Sequence, residues 1–171
     1  CKKKNKAVDF KENEYRPQSL GYRISEYELP KIDQHIHAHV LSNKHYNVAV
    51  DSRGCSQSRY KNYMINAPAG EFAMDGGIFA FVQDEDDKYS FTQDISEGVD
   101  CKKATKRSFA TNIGSVEFSN TFDKFILNSS IHVSQDDNCE FRKYEIYNST
   151  KQRQNIKLYL YSEIALCESK R

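Results

Sequence analysis

From Phe125 to Val133 the chain sets Phe125, Leu127, Ser129, Ile131 and Val133 at alternate positions. Successive side chains of a strand point to opposite sides, so a period of two predicts a strand with one buried face. Polar Gln135-Asp136-Asp137-Asn138 then turns the chain, Phe141 to Tyr147 returns it, and Asn148-Ser149-Thr150-Lys151-Gln152 makes a second turn. Beyond it Ile156, Leu158, Leu160, Ile164 and Leu166 alternate with Lys157, Tyr159, Tyr161 and Glu163. Three long strands in succession predict an antiparallel meander, whose apolar side requires a facing sheet. The expectation is an all-β sandwich closed around Tyr46, Leu127 and Leu158.

The earlier chain agrees with that class. Tyr46, Val48 and Val50 alternate with Asn47, Ala49 and Asp51 before a Ser52-Arg53-Gly54 turn. Asp75-Gly76-Gly77 predicts another turn, followed by Ile78-Phe79-Ala80-Phe81-Val82 as a strand buried on both sides, with Asp84 to Asp87 as a solvated hairpin tip. After Tyr22 nothing sustains a helical period for three turns. Residues 1–20 are rich in Lys, Glu and Asn, are interrupted by Pro17, and read as a linker or lead-in to a domain at 21–171.

Composition narrows the function classes. At 171 residues the chain holds one core and leaves no room for a catalytic domain beside it. A net charge of +1 gives no field to attract nucleic acid or an anionic membrane and suits a neutral ligand such as a sugar. With 11 Tyr, 10 Phe and no Trp, any stacking on a sugar falls to Tyr or Phe. Cys1, Cys55, Cys101, Cys139 and Cys167 form no CxxC pair, which favours reduced thiols in a cytoplasmic compartment. Against this stands Cys1 with Lys2, Lys3 and Lys4 as the lipidated amino terminus of a surface lipoprotein. No GxGxxG or Walker loop is present, and no cofactor is called for.

Ser56, Gln57, Ser58, Arg59 and Tyr60 are the candidate carbohydrate-binding residues, read as a polar turn ending in an aromatic. The competing reading makes Arg59 and Tyr60 the start of a strand that packs on a sheet. Asp33, His35, His37 and His39 alternate, but same-face neighbours lie about 7 Å apart along a strand and converge poorly on one ion. A polar edge or solvent face is the stronger reading, and no metal site is assigned. Asp84, Glu85 and Asp86, as solvated acids, would keep ordinary pKa values and make poor general acids. Gly54-Cys55-Ser56-Gln57-Ser58 lacks the second Gly of a nucleophile elbow, and Cys55, to which sequence assigns no basic partner, reads as a small filler. No catalytic residue is assigned.

Leu41-Ser42-Asn43-Lys44-His45-Tyr46-Asn47-Val48-Ala49-Val50 and Gly54-Cys55-Ser56-Gln57-Ser58-Arg59-Tyr60 resemble a segment of glycoside hydrolase family 94 and of cyclic β-1,2-glucan synthases. There a Leu-Ser-Asn-Gly-Arg-Tyr strand leads to a Gly-rich turn and then Tyr-Ser-Arg-Trp. Asn43, Tyr46, Gly54, Ser58 and Arg59 match, whereas Lys44, His45, Gln57 and Tyr60 depart and Ser56 stands where Gly is common. Val116 to Leu166 and Ile78 to Asp87 resemble further strands of the family. The resemblance implies an antiparallel, galactose-mutarotase-like β-supersandwich, incomplete within 171 residues. It also implies that catalysis belongs to a separate (α/α)6 barrel, where an acid protonates the glycosidic oxygen while phosphate attacks.

Leu29-Pro30 and the Ser-Asn strand are more similar to the central sandwich of the synthases. The implied partners are a β-glucan or oligosaccharide and the catalytic domains of the same polypeptide, with a homodimer as a further expectation. The implied location is cytoplasmic, at the inner membrane. The alternative is an independent carbohydrate-binding surface module, and a weaker third reading is a free-standing mutarotase-like epimerase.

Overall fold

The computed structural model describes residues 23–29, 36–66, 77–85, 89–92 and 104–168. Among them every regular element is a strand: β1 (Arg23–Leu29), β2 (Ala38–Ser42), β3 (Tyr46–Asp51), β4 (Ser56–Tyr60), β5 (Tyr63–Asn66), β6 (Ile78–Asp84) and β7 (Tyr89–Thr92). There follow β8 (Lys106–Asn112), β9 (Ser115–Thr121), β10 (Phe125–Val133), β11 (Glu140–Asn148), β12 (Ile156–Ser162) and β13 (Ile164–Glu168). They form three sheets, ordered β1-β8-β9-β10-β11, β13-β5-β4-β3-β2 and β12-β6-β7, with antiparallel pairing throughout. The expected all-β antiparallel class holds.

The first sheet packs against both others. Phe109, Val116, Phe118 and Ile131 on its inner face meet Leu41, Tyr46, Val48 and Val50 from β2 and β3. Farther along, Phe122, Phe125 and Leu127 meet Val82 of β6. Strand β10 therefore spans both halves of the core, as its strict alternation demands. Val48, Val50, Val82, Val116 and Leu127 are fully buried, each contributing about 1.5–3 kcal/mol of transfer free energy. Phe109 and Phe118 face each other across β8 and β9 at 5.2 Å between ring centres, tilted by 48°.

Turn chemistry fits the register. Ile113-Gly114 joins β8 to β9, and Gly114 takes φ 82°, which an L side chain resists. Gly77 serves close approach: a Cβ there would lie 3.0 Å from Ser56 Oγ and 3.1 Å from the Ser56 backbone nitrogen. The absent side chain lets β6 lead in beside β4.

Several expectations are corrected. The meander is β8-β9-β10-β11, and β12 leaves it to pair with β6. Alternation fixes which face of a strand is apolar but not which neighbour it takes. The connection at 149–155 is too long for a tight hairpin, and Glu85 N–H donates to the Asn155 carbonyl at 2.9 Å, drawing the chain to β6. The run Ile156 to Leu166 is two strands in different sheets, and its apolar residues are exposed: Leu158 by 48% and Leu160 by 66%. Closure thus holds at Tyr46 and Leu127 and not at Leu158.

The β6 run is buried at Phe79, Ala80 and Val82 but only half-buried at Ile78, where the strand begins, and at Phe81, which shares a less covered face with Gln83. Asp84 is not a solvated tip. It is fully buried as the last residue of β6, 3.4 Å from Lys124 Nζ. His39 shares the inward side of edge strand β2 with Leu41, while Val40 faces out. The lead-in at 1–20, Asp33, His35, the turn at Asp75-Gly76, Asp86, Asp87, Cys1 and Cys101 lie outside the described residues.

One residue ties the β2–β3 turn to the opposite sheet. Asn43 Oδ1 accepts from the N–H groups of His45 and Tyr46 at 2.8 and 2.7 Å. Its Nδ2 donates to the carbonyls of Ser134 and Asp137 at 2.8 and 2.9 Å, in the loop between β10 and β11. Asn43→Ala removes all four bonds and is expected to lower the urea-unfolding free energy by about 2–6 kcal/mol, at roughly 0.5–1.5 kcal/mol net per bond. Ser42→Ala next to it, whose hydroxyl bonds only the exposed Asn43 carbonyl, should stay within about 0.5 kcal/mol.

Candidate functional site

The five residues expected as a polar turn form a strand. Asp51 already closes the preceding turn, so the ladder with β3 continues unbroken from Val50↔Ser56 to Tyr46↔Tyr60. Asp51 is fully buried and accepts from the Arg53 and Cys55 N–H groups at 2.9 and 3.1 Å and from the Arg53 guanidinium at 2.9 and 2.8 Å. Burial pushes its carboxyl above the ordinary range, and Arg53 opposes that shift. Cys55 beside it is buried and in no disulfide, as a filler should be.

Alternation divides β4 into two roles. Ser56 and Ser58 point inward, while Gln57 and Arg59 share the other face, where the Arg59 guanidinium donates to Gln57 Oε1 at 3.2 and 3.0 Å. Tyr60 packs against the core and carries Lys61 Nζ 5.2 Å above its ring. Ser56, Gln57 and Ser58 are buried, and Arg59 and Tyr60 are half-buried.

The inward serines reach a charged pair that sequence reasoning missed. Glu140 and Arg142 lie on the inner face of β11, with side chains 8% and 7% exposed. Ser58 Oγ donates to the Glu140 carboxylate at 3.1 and 3.2 Å, and Arg142 bonds the same oxygens at 3.4 Å. Arg142 also donates to Ser56 Oγ at 2.8 Å and to the Ile78 carbonyl at 3.0 Å. One guanidinium thus joins all three sheets. The signal was available: Glu140, Arg142, Tyr144 and Ile146 share one parity, and pairing with Ile131 and Leu127 turns that parity inward.

Around this pair, burial pushes the Tyr46 and Tyr144 phenols above their ordinary values. The Glu140 charge adds to the rise, and the Arg142 charge opposes it. Among the described residues Ser129 Oγ has no hydrogen-bond partner. Both Glu140 oxygens are held inside the sandwich, whereas a general acid must reach a glycosidic oxygen. The arrangement locks layers together and does not present an acid to substrate. Among the described residues no group of three His, Cys, Asp or Glu could hold a metal ion.

Residues 21–171 match the family model for the glycosyl hydrolase 94 supersandwich domain. No curated protein matches the chain.

Two outcomes follow from this geometry. Arg142→Met leaves Glu140 buried without its cation and is expected to cost about 3–5 kcal/mol in urea unfolding. The double change Arg142→Met with Glu140→Leu should cost clearly less than the sum of its parts, since no charge is then stranded.

Burial also holds the His39 and His132 imidazoles below their ordinary value. The unfolded chain then binds more protons once pH falls under about 6.5, so stability is full above that point and declines toward the lower folded value. Asp51, raised rather than lowered, pulls the other way. Moving from about pH 7.5 to about pH 5.5 should lower the urea midpoint, and His132→Gln should shrink that decline.

Proposed function

Because the chain belongs to the glycosyl hydrolase 94 supersandwich family, a noncatalytic domain of these enzymes, we propose that it is the β-sandwich scaffold of an enzyme that makes or phosphorolyses β-glucans. The observation that carries this reading is the engagement of the buried carboxylates among the described residues. Glu140 is held by Arg142 and Ser58, Asp51 by Arg53, and Asp84 faces Lys124. Each supports a turn or a layer contact, and acid chemistry falls to another part of the polypeptide.

In this proposal the partners are the catalytic domains of the same protein and a β-glucan, as in the cyclic β-1,2-glucan synthases that the strand motifs resemble, with a second copy as a further partner. The location is cytoplasmic, at the inner membrane. The near-zero net charge supports a neutral ligand over nucleic acid. Of the five candidate sugar-contacting residues, Arg59 and Tyr60 keep partial exposure, so sugar contact on β4 reduces to those two.

The purified chain is expected to release no glucose 1-phosphate from sophorose or longer β-1,2-glucans in the presence of inorganic phosphate. Phosphate-dependent release at a rate that scales with the chain's concentration would overturn the division of roles.

A further inference from the structure

The outer face of the first sheet has a composition that the fold does not require. On β11, Phe141 and Tyr147 are 60% and 50% exposed and share one side of the strand. They stand six positions apart, a span of about 20 Å at roughly 3.3–3.4 Å per residue. Between them, on the same side, Lys143 Nζ pairs with Glu145 at 2.8 Å.

Register extends this stripe across the sheet. Phe141 lies opposite His132, Lys143 opposite Ser130, Glu145 opposite Asn128 and Tyr147 opposite Ile126. The next strand sets Glu117 beside Ser130 and Ser119 beside Asn128. His132 Nε2 lies 3.1 Å from Ser130 Oγ, and Ser119 Oγ donates to Asn128 Oδ1 at 2.7 Å. That second bond fixes the Asn128 amide by its oxygen, so its NH2 group remains a donor at the surface.

We propose that this face binds a neutral gluco-oligosaccharide, with Phe141 and Tyr147 stacking on pyranose rings at its ends and Glu145, Asn128, Ser130 and His132 bonding hydroxyls between them. The proposal deepens the glucan-handling reading and rests on it. Sugar rings are apolar on their faces and polar at their rims, and the stripe supplies aromatic faces and polar side chains in that alternation. Its charges are of both signs, with Lys143 paired to Glu145, which matches a neutral chain rather than an anionic one. A protein partner is the poorer fit, because Lys and Glu are depleted from the cores of protein interfaces and here stand in the middle. The length of the stripe suits several sugar units rather than one.

The test is titration of the isotope-labelled full chain with linear β-1,2-, β-1,3- and β-1,4-gluco-oligosaccharides of increasing length, followed by NMR. Amide shifts should concentrate on 128–132 and 141–147, and affinity should rise with length until about 20 Å is filled. Phe141→Ala with Tyr147→Ala should weaken binding about tenfold or more, since both stacking faces are lost. The far-UV spectrum and unfolding midpoint should stay unchanged, because both rings are exposed.

Full affinity in that double variant, or no shift with any glucan, overturns the proposal, and the unmodified chain gives the second answer even if the variant fails to fold. Shifts centred on Arg59 and Tyr60 overturn it too, while leaving glucan contact intact at β4. Protection of Phe141 by a catalytic module of the same polypeptide, with no glucan shifts, also overturns it and keeps the scaffold reading. Failure of the scaffold reading is seen separately, as release of glucose 1-phosphate.

Discussion

The fork of Arg142 is the contact on which the layered arrangement depends. It extends from β11 to Ser56 in the second sheet and to the Ile78 carbonyl in the third, while bonding Glu140 on its own strand. Hydrophobic burial alone holds layers together without fixing how they slide, since it is non-directional. A planar guanidinium with donors at set angles supplies that direction. Such a pair adds little net stability, because desolvation consumes much of its attraction. Its effect is on geometry, and Gly77 belongs to the same arrangement, since a side chain there would press on Ser56 and move the serine that Arg142 holds.

Asn43 does at the sandwich's end what Arg142 does in its middle. Its amide oxygen shapes its own turn, and its nitrogen grips the loop of the facing sheet. Tyr46 then enters the core directly after that turn, with its ring buried among residues of the first sheet and its phenol near Glu140. Residues 43, 46 and 58, which carry the family likeness in sequence, are therefore builders. A family can be recognised through them because they specify the fold, and the fold leaves the chemistry open.

Much of the fold was legible in the sequence, and the reason is visible in β10. Its apolar inward residues, Phe125, Leu127, Ile131 and Val133, change neighbours from Val82 to the β2–β3 core, but each meets an apolar layer, so the pattern is regular. Partner choice was not legible. Ile156 to Leu166 alternates as well as any strand, and nothing in that alternation states that β12 will join β6 and β13 will join β5. Asp84 misled for a related reason: an acid within an acidic run looks solvated until Lys124, forty residues away, supplies its cation inside the structure. At the candidate site, Ser58 and Arg59 were singled out by type, but the register with β3 decided that one faces in and the other out.

Parity on β11 links the two faces of the first sheet. Placing Glu140 and Arg142 inward compels Phe141, Lys143, Glu145 and Tyr147 outward, since a strand cannot turn one residue without turning its neighbours. The strand thus sets an ion pair beside Tyr144 and Ile146 on its inner face, where three sheets must be aligned, and leaves aromatic rings outside at both ends of a polar stripe. A one-residue slip would bury Phe141 and Tyr147 only together with Lys143 and Glu145, and would expose Tyr144 and Ile146. The bonds from Arg142 to Ser56 and Ile78 oppose that slip, so the inner lock is also what keeps the outer aromatic surface exposed.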